Sequence, residues 1–213
     1  MHKISVGETD ALIRCGGLGT RFRVVMEDIP KALAPVQGTP FIDLLLDDLI
    51  AQGFSRIILA TGHLGDQLES YVKRRTDDAE YIISNEPKPL GTGGAIKYAE
   101  KHFQSDDILV LNGDSRVDFS FPLLFEFHTN FQADMSILLS SATKGTDYGN
   151  VVLNEENRVK AFAEKPTEGT FPLINAGVYC LNCSLLGFFN PEKQYSLEKD
   201  YLPSWIHEHR IFG

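Results

Sequence analysis

Apolar residues along this chain fall into two alternating rhythms. Short, nearly unbroken apolar runs at 10–15, 56–61, 81–84 and 107–111 read as buried strands. Between them lie segments with helical spacing. Residues 41–52 carry Leu44, Leu45, Leu49 and Ile50 as one stripe, and Gly53 follows as a C-terminal cap. Helices are also predicted over 64–75, over 95–103 and over 121–131, where Pro122 is tolerated in the first turn. The basic run Lys73-Arg74-Arg75 then complements a helix dipole. After residue 132 the rhythm changes, and strands at 133–141, 149–153, 159–164 and 173–180 follow one another across short turns. A last amphipathic helix spans 196–209, with Leu197, Tyr201, Leu202 and Trp205 apolar and Pro203 set to divide it. Alternating strands and helices predict an α/β fold, Rossmann-like, three layers deep (α/β/α) with a mostly parallel central sheet. The 213 residues suit a single domain, 1–213.

Composition narrows the function classes. Hydrophobic residues make up 43% of the chain, enough for a sizeable core. A net charge of −9 argues against a general nucleic-acid partner, so an anionic ligand would need locally concentrated cations. No apolar run reaches the roughly 18 residues of a membrane span. Cys15, Cys180 and Cys183 lack paired metal spacing, and the single Cys180-Leu-Asn-Cys183 reads as structural. An odd cysteine count without a signal peptide predicts a reducing cytoplasm.

Candidate chemistry clusters where strands give way to helices. Gly16, Gly17, Gly19 and Thr20 leave the first strand and meet Arg21 and Arg23. Glycines bring backbone N–H groups close to a ligand, and arginines offer forked donors that suit phosphate oxygens. The dinucleotide fingerprint fails because Phe22 stands where a third small residue is needed, and no Walker string exists. A second glycine loop, Gly91-Thr92-Gly93-Gly94, opens a helix, with Glu86 just before it. Asp114 follows the run Val-Leu-Asn-Gly directly, as a carboxylate suited to Mg²⁺, with Asp118 a weaker second. In open α/β sheets, ligands sit beyond the carboxyl ends of strands, where all three elements fall.

The loop Gly16–Arg21 followed by Pro30-Lys31-Ala32-Leu33 resembles the signature of the sugar-phosphate nucleotidyltransferases. That resemblance implies the nucleotide-diphospho-sugar transferase fold, with an NTP-binding N-terminal half and a sugar-phosphate-binding C-terminal half. It implies catalytic roles for Arg21 and Lys31 on the triphosphate and for Asp114 on the metal. Gly91, Thr92 and Gly93 would line the nucleobase and sugar, with Glu86 near the base. Gly149 (in Tyr148-Gly149), Glu164 and Lys165 (in Glu-Lys-Pro) and Asn175 (in Asn-Ala-Gly) match its sugar-phosphate motifs. The strings Leu-Gly-Thr-Gly-Gly-Ala-Ile-Lys, Val-Leu-Asn-Gly-Asp-Ser, Ile-Asn-Ala-Gly-Val-Tyr and Ser-Leu-Glu-Lys-Asp resemble a short subgroup that includes manno-heptose 1-phosphate guanylyltransferases. The implied partners are an NTP, GTP for that subgroup, and a sugar 1-phosphate, with Mg²⁺ as cofactor. A homodimer is the assembly this reading allows. Uridylyl-, thymidylyl- and mannose-type transferases share these loops and stay open, as does a non-catalytic binding subunit of the same fold.

Two departures stand out. The family continues to a segment Asp-x-Gly-Thr-Pro that carries a second metal-binding aspartate, and no such string occurs here. A shortened chain, a substitute carboxylate and an impaired site are the alternatives, and Asp200 is not expected to substitute. Arg14 puts a charge where the family has an apolar strand residue, which is costly unless the charge is paired or at a sheet edge.

Overall fold

Alternation within the first strand sets the layering. In β1 (Asp10–Arg14), Ala11 and Ile13 enter one hydrophobic core while Leu12 enters the other. Side chains of a strand alternate between faces, so a run apolar on both faces must be covered twice. The computed structural model describes residues 4–16, 28–141, 149–163, 173–190 and 193–213. Among these, β1 pairs in parallel with β4 (Arg56–Thr61) on one side and β6 (Asp107–Asn112) on the other, and β4 pairs with β5 (Glu80–Asn85). Beyond β6 lies the long antiparallel β10 (Leu173–Asn182), then β7 (Met135–Ser141) and β11 (Ile211–Phe212). Strands β8 (Asn150–Leu153) and β9 (Val159–Ala163) extend from the start of β10. A separate small ribbon joins β2 (Pro35–Val36) to β3 (Thr39–Pro40).

Helices α1 (Phe41–Ala51), α2 (Gly65–Val72) and α4 (Phe121–Asn130) bury Leu46, Leu49, Leu68 and Phe125 on one face. On the other, α3 (Gly91–Ala99) and α5 (Leu202–Glu208) bury Ile96, Leu202 and Trp205. Each such side chain contributes about 1.5–3 kcal/mol of burial. The three-layer, mostly parallel architecture expected from the sequence is therefore present.

Element boundaries differ in instructive ways. The second glycine run does not precede a helix at 95, because α3 already begins at Gly91 and passes at Ala99 into a tighter turn, Glu100–His102. Leu64 takes a left-handed conformation, so α2 starts at Gly65, and it stops at Val72. Arg75 does not sit at a helix end as a dipole partner. Its guanidinium bonds Asp43 at 2.6 Å, Asp47 at 2.5 Å and Asp77 at 2.7 Å, tying α1 to the approach of β5. Cys180 lies inside β10 rather than ending it, and Cys183 opens a short 3-10 segment. The last helix is divided as expected. A π-helical turn over Leu197–Tyr201 precedes α5, and Pro203 occupies the first turn of α5.

One irregularity shapes the site. The register between β10 and β7 shifts between Asn175 and Tyr179, and Gly177 sits there with φ +75. A side chain at Gly177 would collide with Asn112 at the end of β6, so only glycine lets the bulge seat against its neighbour.

Candidate active site

A cavity of about 690 Å³ opens at the carboxyl ends of β1 and β6. Its walls gather Gly16, Lys31, Glu86, Gly91, Thr92 and Asp114 with Gly149 and Asn175, residues up to 159 positions apart that the sequence had singled out separately. Gly93 is not on the wall. It packs under the Tyr195 ring and donates its N–H to the Tyr195 carbonyl at 3.2 Å, so it serves packing of α3 rather than ligand approach. Gly17, Gly19, Thr20, Arg21, Arg23, Tyr148, Glu164 and Lys165 lie outside the described residues. Asp118 is exposed and off the cavity, and Asp200 is engaged by the Ser196 N–H at 2.7 Å.

Each wall has a physical reason. Gly91 holds φ +79, and a Cβ there would strike the Tyr195 carbonyl, so the mouth of α3 requires glycine. Glu86 is mostly buried, packs against Gly16 and accepts the Leu90 N–H at 2.9 Å, which closes the loop between β5 and α3. Burial raises its carboxyl above the ordinary range, against the pull of that N–H. Lys31 follows Pro30 in a single 3-10 turn, Lys31–Leu33, and its ammonium meets Asp114 Oδ2 at 2.6 Å. Both side chains keep more than two fifths of their surface in solvent.

Arg14, the expected anomaly, lies neither at an edge nor unpaired. It projects from the end of an interior strand with 7% of its side chain exposed. Its Nη2 meets Glu198 Oε1 at 2.9 Å, its Nε donates to Asn112 Oδ1 at 3.1 Å, and the guanidinium lies 5.5 Å from the Tyr179 ring centroid. Glu198 also accepts from the Tyr179 hydroxyl at 3.0 Å, from Ser196 Oγ at 3.0 Å and from Thr92 Oγ1. Burial alone would raise this carboxyl, but Arg14 overrides it and holds Glu198 at about 2. Glu198 and Tyr179 are the site residues that reading the sequence missed. The signal was Arg14 itself, since a cation buried in a strand demands a carboxylate from elsewhere in the chain.

Among the described residues, no cluster of three or more His, Cys, Asp or Glu side chains is arranged to hold a metal. Of the three carboxylates on the described cavity wall, Glu86 is mostly buried and accepts the Leu90 N–H, Glu198 is saturated by four donors, and Asp114 is open to solvent with Lys31 alongside. One accessible carboxylate fits an Mg²⁺ ion carried in on substrate phosphates, since that ion commonly keeps one or two protein carboxylates and fills its shell with phosphate oxygens and water. No described helix is long and apolar enough to cross a membrane.

Glycines at strand exits and a lysine beside an exposed aspartate suit the binding of phosphate groups. The chain belongs to the nucleotidyl transferase family, whose pattern matches residues 10–211. It is 34% identical to the D-glycero-alpha-D-manno-heptose 1-phosphate guanylyltransferase of Aneurinibacillus thermoaerophilus, over 96% of this chain and 88% of that protein. It is 33% identical to the mannose-1-phosphate guanylyltransferase catalytic subunit beta of Drosophila pseudoobscura pseudoobscura, over 96% of this chain and 56% of that one. HddC from Yersinia pseudotuberculosis, solved in complex with GMP-PN, superposes with a TM-score of 0.82 at 31% identity, covering 96% of this chain and 88% of that one.

Proposed function

We propose that this nucleotidyltransferase joins GTP to a manno-heptose 1-phosphate, giving a GDP-sugar and pyrophosphate. The observation that carries this reading is the shared cavity. Lys31 and Asp114, 2.6 Å apart, line it together with Gly16 and the Gly91–Thr92 turn from the N-terminal half and with Gly149 and Asn175 from the C-terminal half. The N-terminal half then holds the nucleotide and the C-terminal half the sugar phosphate. A phosphate oxygen of the sugar attacks the α-phosphorus, and the bond to the pyrophosphate oxygen breaks in line. Lys31 takes up charge on the phosphates, so the protein works by positioning and charge neutralisation. Asp114 would hold Mg²⁺, which supplies further neutralisation of phosphate charge when bound. A role in supplying activated sugar for surface polysaccharide, within the cytoplasm, accords with such a product.

The test is a pyrophosphate-release screen of five NTPs against heptose, mannose and glucose 1-phosphates with Mg²⁺. GTP with manno-heptose 1-phosphate is expected to give the highest kcat/KM. Mannose 1-phosphate is the second choice, favoured by the 33% identity to the mannose enzyme across 96% of this chain. Chelation of Mg²⁺ is expected to stop turnover. No pyrophosphate from any pair would sink the assignment.

A further inference from the structure

The charge on Glu198 has a consequence for the sugar side of the cavity. A carboxylate only accepts hydrogen bonds, so the Tyr179 hydroxyl must donate to Glu198 across their 3.0 Å contact. The Tyr179 oxygen is thereby left to accept, and Asn175 Nδ2 donates to it at 2.7 Å. The other end of the same amide, Oδ1, accepts the Gly177 N–H at 2.9 Å within the bulge of β10. Asn175 lines the cavity with its donor and acceptor ends thus assigned. The relay runs from Arg14 through Glu198 and Tyr179 to Asn175, joining β1, the segment before α5 and β10.

We propose that Arg14 is a positioning residue for the sugar 1-phosphate: its ion pair anchors the Glu198 carboxylate to which the Tyr179 hydroxyl donates, and through Tyr179 it fixes where Asn175 meets the sugar. Arg14 touches no reacting atom in this scheme. With Glu198 released, the Tyr179 hydroxyl loses its acceptor and is free to turn, leaving Asn175 held by the Gly177 N–H alone. Sugar hydroxyls then meet an amide anchored at its Oδ1 end only, with its Nδ2 no longer held in place. The proposal rests on the nucleotidyl-transfer reading above, which makes Asn175 a sugar contact.

The experiment compares KM for manno-heptose 1-phosphate and for GTP in wild type, Arg14→Met, Arg14→Lys and Tyr179→Phe. Tyr179→Phe cuts the relay and leaves the ion pair in place, so it carries the test even if Arg14→Met does not fold. Tyr179→Phe is expected to raise the sugar-phosphate KM about tenfold, the loss of roughly one hydrogen bond, with the GTP KM within about twofold, and Arg14→Met to raise the sugar-phosphate KM at least as much. Arg14→Lys, which keeps the cation, is expected to recover most of that loss. A Tyr179→Phe enzyme with both KM values unchanged, or with both raised equally, overturns the relay while leaving the transferase reading intact. A wild-type chain that turns over no sugar phosphate overturns both, and is recognised before any variant is made.

Discussion

Two ion pairs share this cavity and obey different physics. Arg14–Glu198 is nine-tenths shielded, with side-chain exposures of 7% and 13%, and Glu198 is saturated with donors. Lys31–Asp114 is shorter, at 2.6 Å, yet 42% and 45% exposed. An exposed pair is worth about 0–1 kcal/mol and exchanges partners readily. A buried pair contributes little relative to an apolar substitute, but losing one member strands a charge at about 3–5 kcal/mol. The site thus combines a fixed scaffold with replaceable contacts. Lys31 and Asp114 neutralise each other in the open and can separate cheaply, which suits the phosphate and metal contacts proposed for them, whereas Arg14 and Glu198 are held in place.

The sharpest way to break this contrast is to strand each charge in turn. Arg14→Met is expected to lower stability by about 3–5 kcal/mol, read from the urea midpoint, and the Arg14→Met/Glu198→Leu double variant to recover most of it. Asp114→Ala should do the reverse. Its turnover is expected to fall at least about a thousandfold in a pyrophosphate assay, several kcal/mol of transition-state stabilisation, while its urea midpoint stays near wild type. Acid titration separates the pairs more gently. With a folded value of about 2 against an ordinary 4.5, Glu198 adds stability that is fully present above about pH 4.5 and lost as pH falls through about 2. The stability gap between wild type and Glu198→Gln should therefore narrow over that window in denaturant titrations. The smallest effect is expected from Lys31→Met, whose stability should change by no more than about 1 kcal/mol although its kcat/KM falls about a hundredfold.

Legibility in the sequence tracks the same division. The strand 56–61 and the parallel half were readable because apolar runs and helical stripes are local. Lys31, Asp114 and the glycines at 16 and 91 announced themselves by residue type at strand exits. Glu198 did not, although it lies in a string already noted, because its meaning depends on a partner 184 positions away. Gly93 shows the converse error. A glycine beside a ligand loop suggests approach, yet here it makes room for the Tyr195 ring. Arg75 likewise resembled an end-of-helix cation until its three aspartates were brought together by tertiary packing.

That separation of 184 residues between Arg14 and Glu198 also sets an order in time. At about 5–20 residues per second, Arg14 is synthesised on the order of ten to forty seconds before its counter-ion. The Arg75 knot spans only 28–32 residues back to α1, so that corner can close early. Until Glu198 arrives, the nascent chain carries an uncompensated cation on an interior strand of the sheet. This wall of the cavity is therefore completed later than the Arg75 corner, and the site waits on a residue far along the chain from the strand it braces.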